Sequence, residues 1–327
     1  MIKKIEISHR TVIFTVLFLL SLWFVYFVKD LILQLFVALL IMTILNPLVT
    51  KLSKMRIPRA LSVAVVYILI IGLFSLLIAG IVPALVEQTT SFANNLPQYL
   101  ANLGVSRFVS DQISSQIISQ LGALPAQVVK LGTSVFSNIL SVIAVLIFAF
   151  YLLLAREKLD EQLGFLFDEE KRKEIGQIID KLELRLGGWA RGELILMILI
   201  GVINFIGLTV LGIPFALPLA ILAGLLEIVP ILGPFIAATP AVIIALSISP
   251  IMALAVAALA FLAQQLENYV FVPKIMEKSV GVNPIIVLLA LSIGFRMAGI
   301  VGAALSVPIV LMIHVLSQEY LISSKES

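Results

Sequence analysis

The chain has 327 residues, of which 61% are hydrophobic and 13% charged, with a mean hydropathy of +1.15 and a formal net charge of +3. Soluble domains contain about 45–50% apolar residues, so this composition excludes that class and predicts an all-α, polytopic membrane protein. The alternating segments of about ten residues that build a transmembrane β-barrel do not occur in the sequence.

Residues 1–82 contain three apolar segments, each long enough for a bilayer core that requires roughly 20 helical residues. We expect spans at Thr11 to Val28, Leu31 to Val49 and Leu61 to Val82. No small-residue cleavage site follows the first segment, so we interpret it as an uncleaved span.

The charges between these spans predict their orientation. Lys29 and Asp30 cancel between the first and second spans. Four basic residues lie between the second and third spans: Lys51, Lys54, Arg56 and Arg59. Because basic residues concentrate in cytoplasmic loops, we expect the N-terminus in the cytoplasm.

Residues 83–138 are then expected outside the cell as an amphipathic segment rich in Ser, Gln and Asn. Its apolar positions have helical spacing: Ile113, Ile117, Leu121 and Leu124.

A fourth span, residues 139–155, returns the chain to the cytoplasm. Residues 156–193 carry many charges of both signs and predict a cytoplasmic helical segment. One helix face there is apolar: Ile175, Ile178, Ile179, Leu182 and Leu186. A solvated helix packed on the bundle and a gating element both remain open.

Residues 194–318 are expected to form a transport core. A fifth span covers Leu194 to Leu211, and two long apolar stretches, Phe215 to Leu246 and Ile285 to Leu316, flank a span from Pro250 to about Val272. Each stretch has roughly 32 residues, or about 48 Å of helix, which is too long for one span and short for two. We therefore expect two re-entrant helical hairpins, about 212–246 from outside and about 282–316 from the cytoplasm, giving about eight membrane elements and a cytoplasmic C-terminus.

The sequence "LLEIVPILGPF" predicts where the first hairpin breaks. Pro230 and Pro234 lack an N–H donor, and Gly233 permits unusual dihedral angles. Freed backbone groups are tolerated at membrane depth only within protein or against a water-filled cavity. Glu227 lies one turn before the break, so it is predicted either to face a polar transport pocket or to be a hydrated residue near the end of its arm.

The two long stretches resemble each other. Five matched positions carry the repeat: Pro214 with Pro284, Ala220 with Ala290, Gly224 with Gly294, Gly233 with Gly302, and Pro240 with Pro308. One odd crossing between the copies would invert them in the membrane, as in many secondary transporters. Chance matching is the alternative, because these residues are common in membrane helices.

Other polar residues extend the candidate site. Gln264, Glu267 and Asn268 lie near the inner end of the span between the hairpins and predict either part of the substrate path or an interfacial cap. Arg296 and Gly299 lie at the second break, where Arg296 could pair with Glu227 or extend to the interface. Asn204 in the fifth span is more typical of interhelical hydrogen bonding.

Several classes of site are not predicted. The chain has no cysteine, and its two histidines, His9 and His314, are far apart, so no metal site is expected beyond Na⁺ at Glu227. No phosphate-binding loop, zinc-protease motif or serine elbow occurs. We expect no cofactor, no ATP-driven transport and no enzyme activity.

The segments "LLEIVPILGP" and "QQLENYVFVPKIMEKSVGVNPIIVLLALSIGFRMAGIVGAALSVPIV" resemble the signature half of the autoinducer-2 exporter family, also called the PerM-type permease family. The motifs cover about Leu225 to Val310, and the order of spans extends the resemblance along the chain. It implies a bacterial inner-membrane protein; some members are associated with autoinducer-2 export and others with Na⁺(Li⁺)/H⁺ exchange. It further implies a Pro-Gly-Pro motif at Glu227, Pro230, Gly233 and Pro234, and a second motif at Glu267, Asn268 and Pro273. Arg296 departs from the small or apolar residue usual in the family.

The leading hypothesis is a gradient-driven transporter or exporter of a small polar solute. A Na⁺(Li⁺)/H⁺ antiporter is the alternative within that class, and a non-transporting membrane scaffold or sensor is the alternative from another class. The expected partners are the lipid bilayer, the solute, Na⁺ or H⁺ as a coupling ion, and further copies of the chain in a homo-oligomer; nucleic acid is not expected.

Overall fold

The computed structural model describes residues 9–102, 139–230, 232–276 and 283–326, which form helices and no strand. The helices in chain order are α1 (His9–Phe27), α2 (Lys29–Ser53), α3 (Arg59–Asn102), α4 (Ile139–Ala155), α5 (Leu159–Leu166), α6 (Glu169–Val210), α7 (Ala216–Leu226), α8 (Leu232–Ile248), α9 (Pro250–Leu266), α10 (Val272–Met276) and α11 (Pro284–Glu326). A 3₁₀ turn at Arg156–Lys158 follows α4, and a π-helical turn at Glu267–Phe271 follows α9. The prediction of an all-helical chain is therefore confirmed.

Segments of several helices are long and apolar enough to cross a membrane. Among the described residues these are Lys29–Ser53, Arg59–Leu76, Glu169–Val210, Pro250–Met276 and Val301–Glu319, with shorter apolar helices at Val12–Ser21, Ala216–Leu226, Leu232–Ile248 and Ile285–Gly299. Large apolar side chains are exposed along these helices, as expected where lipid rather than water surrounds them.

Two helices run further than the expected spans. α3 continues beyond Val82 to Asn102, so its last turns enter the segment expected outside the cell. The apolar pattern that begins at Ile113 lies outside the described residues. The charged segment from Glu169 onward and the fifth span form one 42-residue helix, α6. It starts where the Asp168 side chain accepts a hydrogen bond from the Lys171 backbone N–H.

Side chains of α6 contribute to two buried clusters at the centre of the bundle. The expected apolar face of the charged segment is half-buried at its first four positions and fully buried at Leu186. Leu186 packs in a cluster with Trp189, Leu196 and, from α11, Leu311. A second cluster joins the C-terminal end of α6 to α7, α8 and α9 through residues such as Leu208 and Ile244. α6 is thus the element against which the candidate site is built.

The chain folds back on itself between α7 and α8. α7 ends at Leu226 and α8 starts at Leu232, so the helix is interrupted in the predicted "PILGP" sequence. A Cβ added to Gly233 would lie 1.9 Å from the carbonyl oxygen of Leu226. That contact brings together residues seven apart in sequence, which a straight helix would hold about 10 Å apart along its axis.

A second reversal lies within α11, where Ala298 and Gly299 leave helical geometry and Gly299 has a φ of +58°. The Ser306 hydroxyl donates to the Ala290 carbonyl at 2.9 Å. A continuous helix would separate residues 16 apart by about 24 Å. The two arms of α11 are therefore packed side by side, with Gly294 against Gly302.

Candidate functional site

Glu227 is the first residue after α7, at the start of the interruption. Only 3% of its surface is exposed, and its Oε2 atom has no hydrogen-bond partner among the described residues. A buried carboxyl oxygen without a donor costs free energy, about 1–3 kcal/mol for a neutral group and more for a charged one. The interruption therefore places an unsatisfied acidic group inside the molecule.

Two further carboxyl groups lie beside Glu227. Glu267, at the start of the π-helical turn, is within hydrogen-bonding reach of the Glu227 carboxyl group, and Glu193 on α6 interacts electrostatically with both. Glu193 and Glu267 are 6% and 8% exposed. We refer to Glu193, Glu227 and Glu267 as the carboxyl cluster.

Glu267 is the first residue of the π-helical turn that follows α9. A π turn adds a residue to the helical repeat and rotates the following side chains, and such turns are frequent at functional sites. Glu267 is buried there, whereas the next residue, Asn268, is exposed. Gln264 Nε2 donates to Glu267 Oε2 at 2.8 Å. Of the three polar residues predicted on this helix, Gln264 and Glu267 thus form a hydrogen bond beside Glu227, whereas Asn268 is exposed.

A small cavity adjoins the carboxyl cluster. It has a volume of about 30 Å³ and is lined by Asn204, Pro234, Gln264 and Glu267 among small apolar side chains. Since a single water needs about 10–15 Å³ by this measure, the cavity has room for one or two waters. Asn204, whose amide donates to the Ile200 carbonyl at 2.8 Å, lies closer to the site than its sequence context indicates.

The turn residues determine the shape of the interruption. Pro230 accepts a hydrogen bond from the Leu232 N–H at 2.8 Å, and the Gly233 N–H donates to the Val229 carbonyl at 2.9 Å. Gly233 is buried and has no room for a side chain, whereas Pro234 lines the cavity. Gly233 thus permits the close approach of α7 to α8, and Pro234 forms part of the cavity wall.

The structure does not bring Arg296 together with Glu227. Arg296 is exposed, and among the described residues neither it nor any member of the carboxyl cluster takes part in an ion pair. Gly299 lies in the second reversal, within α11. These two predicted residues are therefore separate from the cluster, and Glu227 is not neutralised by Arg296.

Glu193 is the site residue that the sequence analysis missed. In the sequence Glu193 is the last residue of the charged segment, because the seven residues that follow it are all apolar. A helical signal was available, since Glu193 lies seven residues after Leu186 and seven before Ile200, both of which are buried. Residues two turns apart share one helix face, so this spacing indicates that Glu193 faces the core.

A separate polar network connects α2, α4 and α6. Arg156, just after α4, pairs with Asp180 and, through Nε at 2.6 Å, with Glu183. Asn46 donates to Glu183 and accepts from Arg59 Nη2 at 2.7 Å. Here each charge has a partner of opposite sign, in contrast to the carboxyl cluster. No three potential metal-ligating side chains of the described chain converge as a metal site requires.

Comparison with known proteins shows the family to which the chain belongs. Residues 12–322 match the family described as AI-2E family transporter. The chain is 30% identical over 309 residues to "Putative transport protein YrrI" of Bacillus subtilis (strain 168), covering 88% of each chain. It is 29% identical to "Putative transport protein YueF" of the same organism, covering 88% of this chain and 83% of that one. A "Sodium-lithium/proton antiporter" from Halobacillus andaensis is 24% identical, covering 88% of this chain and 90% of the relative. With its long apolar helices, the chain is thus a membrane protein that belongs to the AI-2E transporter family.

Proposed function

We propose that the protein is a gradient-driven transporter that exports a small polar solute and resembles autoinducer-2 exporters. The observation that carries this proposal is the buried Glu227 carboxyl group at the interruption between α7 and α8, whose Oε2 atom has no hydrogen-bond partner among the described residues. A carboxylate at the centre of a membrane helix costs about 2.5–3.5 kcal/mol on insertion scales. An interrupted helix with three buried carboxyl groups is costly for packing alone, and it is typical of a transport pathway.

The two folded-back helix pairs support a mechanism for this transport. We propose that α7 with α8, and the two arms of α11, are re-entrant hairpins related as an inverted repeat. Movement of such repeats against the rest of the bundle alternates access to a site between them. The proposed setting is the bacterial inner membrane, with both termini in the cytoplasm. The route would pass the cavity at Asn204, Gln264 and Glu267.

The test is the substitution Glu227→Gln, which keeps the shape of the side chain and removes its titration. Wild type and variant are reconstituted at equal protein density in liposomes loaded with labelled autoinducer-2, and efflux is measured as a function of pH. We expect efflux to fall at least tenfold in Glu227→Gln, with a flatter pH profile in what remains. A tenfold change corresponds to about 1.4 kcal/mol.

Glu174→Gln is the matched control, because Glu174 is an exposed carboxylate on α6. It should leave efflux unchanged. Overlapping pH profiles for wild type and Glu227→Gln would contradict a transport role for Glu227.

A Na⁺(Li⁺)/H⁺ antiporter is the second candidate. The Halobacillus andaensis relative bears that name, and an acidic pocket suits a cation as well as a proton. Addition of Na⁺ or Li⁺ to liposomes that carry a pH-sensitive dye should then produce proton flux without any organic solute. Absence of both solute efflux and cation-dependent proton flux would favour the scaffold or sensor hypothesis.

A further inference from the structure

We propose that Glu193, Glu227 and Glu267 form one proton-binding site, in which Glu227 and Glu267 share a proton and Glu193 controls how tightly it is held. The inference deepens the proposed function, on which it rests, by naming the proton as the ion that this pocket binds and Glu193 as a residue that acts on it. It is carried by hydrogen bonding, charge balance, pocket size and the placement of the three residues on separate elements.

Glu227 and Glu267 need a hydrogen-bond donor between their carboxyl groups. An ionised carboxylate only accepts hydrogen bonds, so two of them within reach of each other cannot bond unless one carries a proton. Among the described residues, Gln264 is the one side chain that donates to the pair, and it donates to Glu267. Glu227 Oε2 is buried and has no donor in the same part of the chain. A proton between the two carboxyl groups supplies the missing donor.

Charged side chains on the elements packed around the cluster are exposed or bonded elsewhere. α6 also carries Arg191, but its guanidinium donates to the Thr43 carbonyl of α2 at 2.7 Å. α10 carries Lys274, which is exposed.

α3 packs on α7 and α8. Its Tyr67 donates to the Leu146 carbonyl of α4 at 3.0 Å, and its Glu87 is exposed. α7 and α8 contain no titratable residue.

With all three carboxyl groups ionised, three buried negative charges would lie close together without a compensating cation from the described protein. At an effective dielectric constant of about 20, two such charges about 4 Å apart repel by roughly 4 kcal/mol. Taking up one proton removes the repulsion within the Glu227 and Glu267 pair.

The size of the pocket favours a proton over a metal ion. The adjoining cavity, about 30 Å³, admits one or two waters and is too small for a hydrated cation. In the described parts of the chain, no three carboxylate, imidazole or thiolate groups are placed so that they could hold a metal ion. The water-sized cavity instead provides a path by which a proton reaches Glu267.

The three carboxyl groups belong to elements that can separate. Glu193 lies on the long helix α6, Glu227 lies between α7 and α8, and Glu267 lies in the π-helical turn after α9. Movement of α7 and α8 relative to α6 and α9 would pull Glu227 from its partners, break the shared hydrogen bond and release the proton to water. Proton binding and the position of the hairpin are thereby linked.

The experiment is infrared spectroscopy of the purified full-length protein in liposomes, with no solute or metal added. The carbonyl stretch of protonated carboxylic acids is followed against pH in water and in D₂O. Exposed and ion-paired carboxylates are ionised at neutral pH and give no such band. Wild type is compared with Glu193→Gln, Glu227→Gln and Glu267→Gln, with Glu174→Gln as control, and size-exclusion profiles verify folding.

We expect a D₂O-sensitive band at neutral pH in wild type and in Glu174→Gln, and loss of that band in Glu227→Gln or Glu267→Gln. Glu193→Gln should keep the band and move its disappearance to lower pH, because removing a neighbouring negative charge favours ionisation of the pair. Absence of the band in wild type, or an unshifted titration in folded Glu193→Gln, would overturn the proposal. The readout needs no transport: a band with no solute efflux contradicts the proposed function alone, and efflux without a band contradicts this inference alone.

Discussion

Pro47 leaves the Thr43 carbonyl of α2 without its usual helical donor, because proline has no N–H to bond four residues back. Arg191 of α6 supplies the donor through Nη1 at 2.7 Å. The approach is close enough that a Cβ on Gly187 would lie 2.6 Å from the Thr43 oxygen. A proline, an arginine and a glycine on two helices thus form a single contact.

This contact predicts that Gly187→Ala destabilises the protein. The added methyl group would meet backbone atoms, which cannot rotate away, and overpacking typically costs about 1–3 kcal/mol. The measurement is the thermal unfolding midpoint in detergent, which should fall. Gly80→Ala is the control, since a Cβ there has no atom within 4 Å. Equal midpoints for the two variants would show that α2 and α6 approach less closely than described.

At the same scale, sequence reasoning selected two of the three residues of the carboxyl cluster. Glu227 and Glu267 could be selected because a lone carboxylate in an apolar run is costly unless it has a role. Glu193 could not be selected by that rule, since it adjoins a charged segment and resembles a solvated residue. The predicted pair between Glu227 and Arg296 does not form, because Arg296 is exposed within α11. Sequence alone does not determine how the break between α7 and α8 is placed relative to the break within α11.

At the scale of elements, the breaks were predictable and several helix ends were not. Proline and glycine act on local geometry, so the interruption at Pro230 to Pro234 follows from chain chemistry. The ends of α3 and α6 do not, because a helix need not stop where the apolar run stops. α3 continues to Asn102 and α6 begins at Glu169. The first turns of α6 consist largely of Glu, Lys and Arg, which are good helix formers.

The tight reversal between α7 and α8 predicts a strong effect of Gly233→Ala. Its Cβ would lie 1.9 Å from the Leu226 carbonyl oxygen, so the arms must separate or the turn must change. We expect a lower unfolding midpoint together with a loss of solute efflux. The control is Gly72→Ala on α3, where nothing lies within 4 Å of the new atom. Wild-type stability and efflux in Gly233→Ala would contradict the reversal.

At the scale of the whole molecule, ion pairs join the segments that were expected in the cytoplasm. Arg59, at the start of α3, pairs with Glu157 at 3.7 Å. Lys181 of α6 pairs with Glu319, near the end of α11, at 2.7 Å. These segments lie far apart in sequence, yet their charges meet at one end of the bundle. Charges gathered at one end of the bundle agree with the expectation that basic residues concentrate on the cytoplasmic side of the membrane.

The proposed orientation predicts opposite accessibility for two exposed positions, Gln98 on α3 and Lys173 on α6. The chain contains no cysteine, so Gln98→Cys and Lys173→Cys each introduce a single reactive thiol into an otherwise unreactive protein. With an impermeant maleimide on intact cells, we expect Gln98→Cys to label and Lys173→Cys to label only after permeabilisation. The reason is that the basic residues between α2 and α3 favour the cytoplasmic side of the membrane. The N-terminal half of α6 is expected on the same side. Labelling of both variants on intact cells would contradict the topology, and labelling of Lys173→Cys alone would invert it.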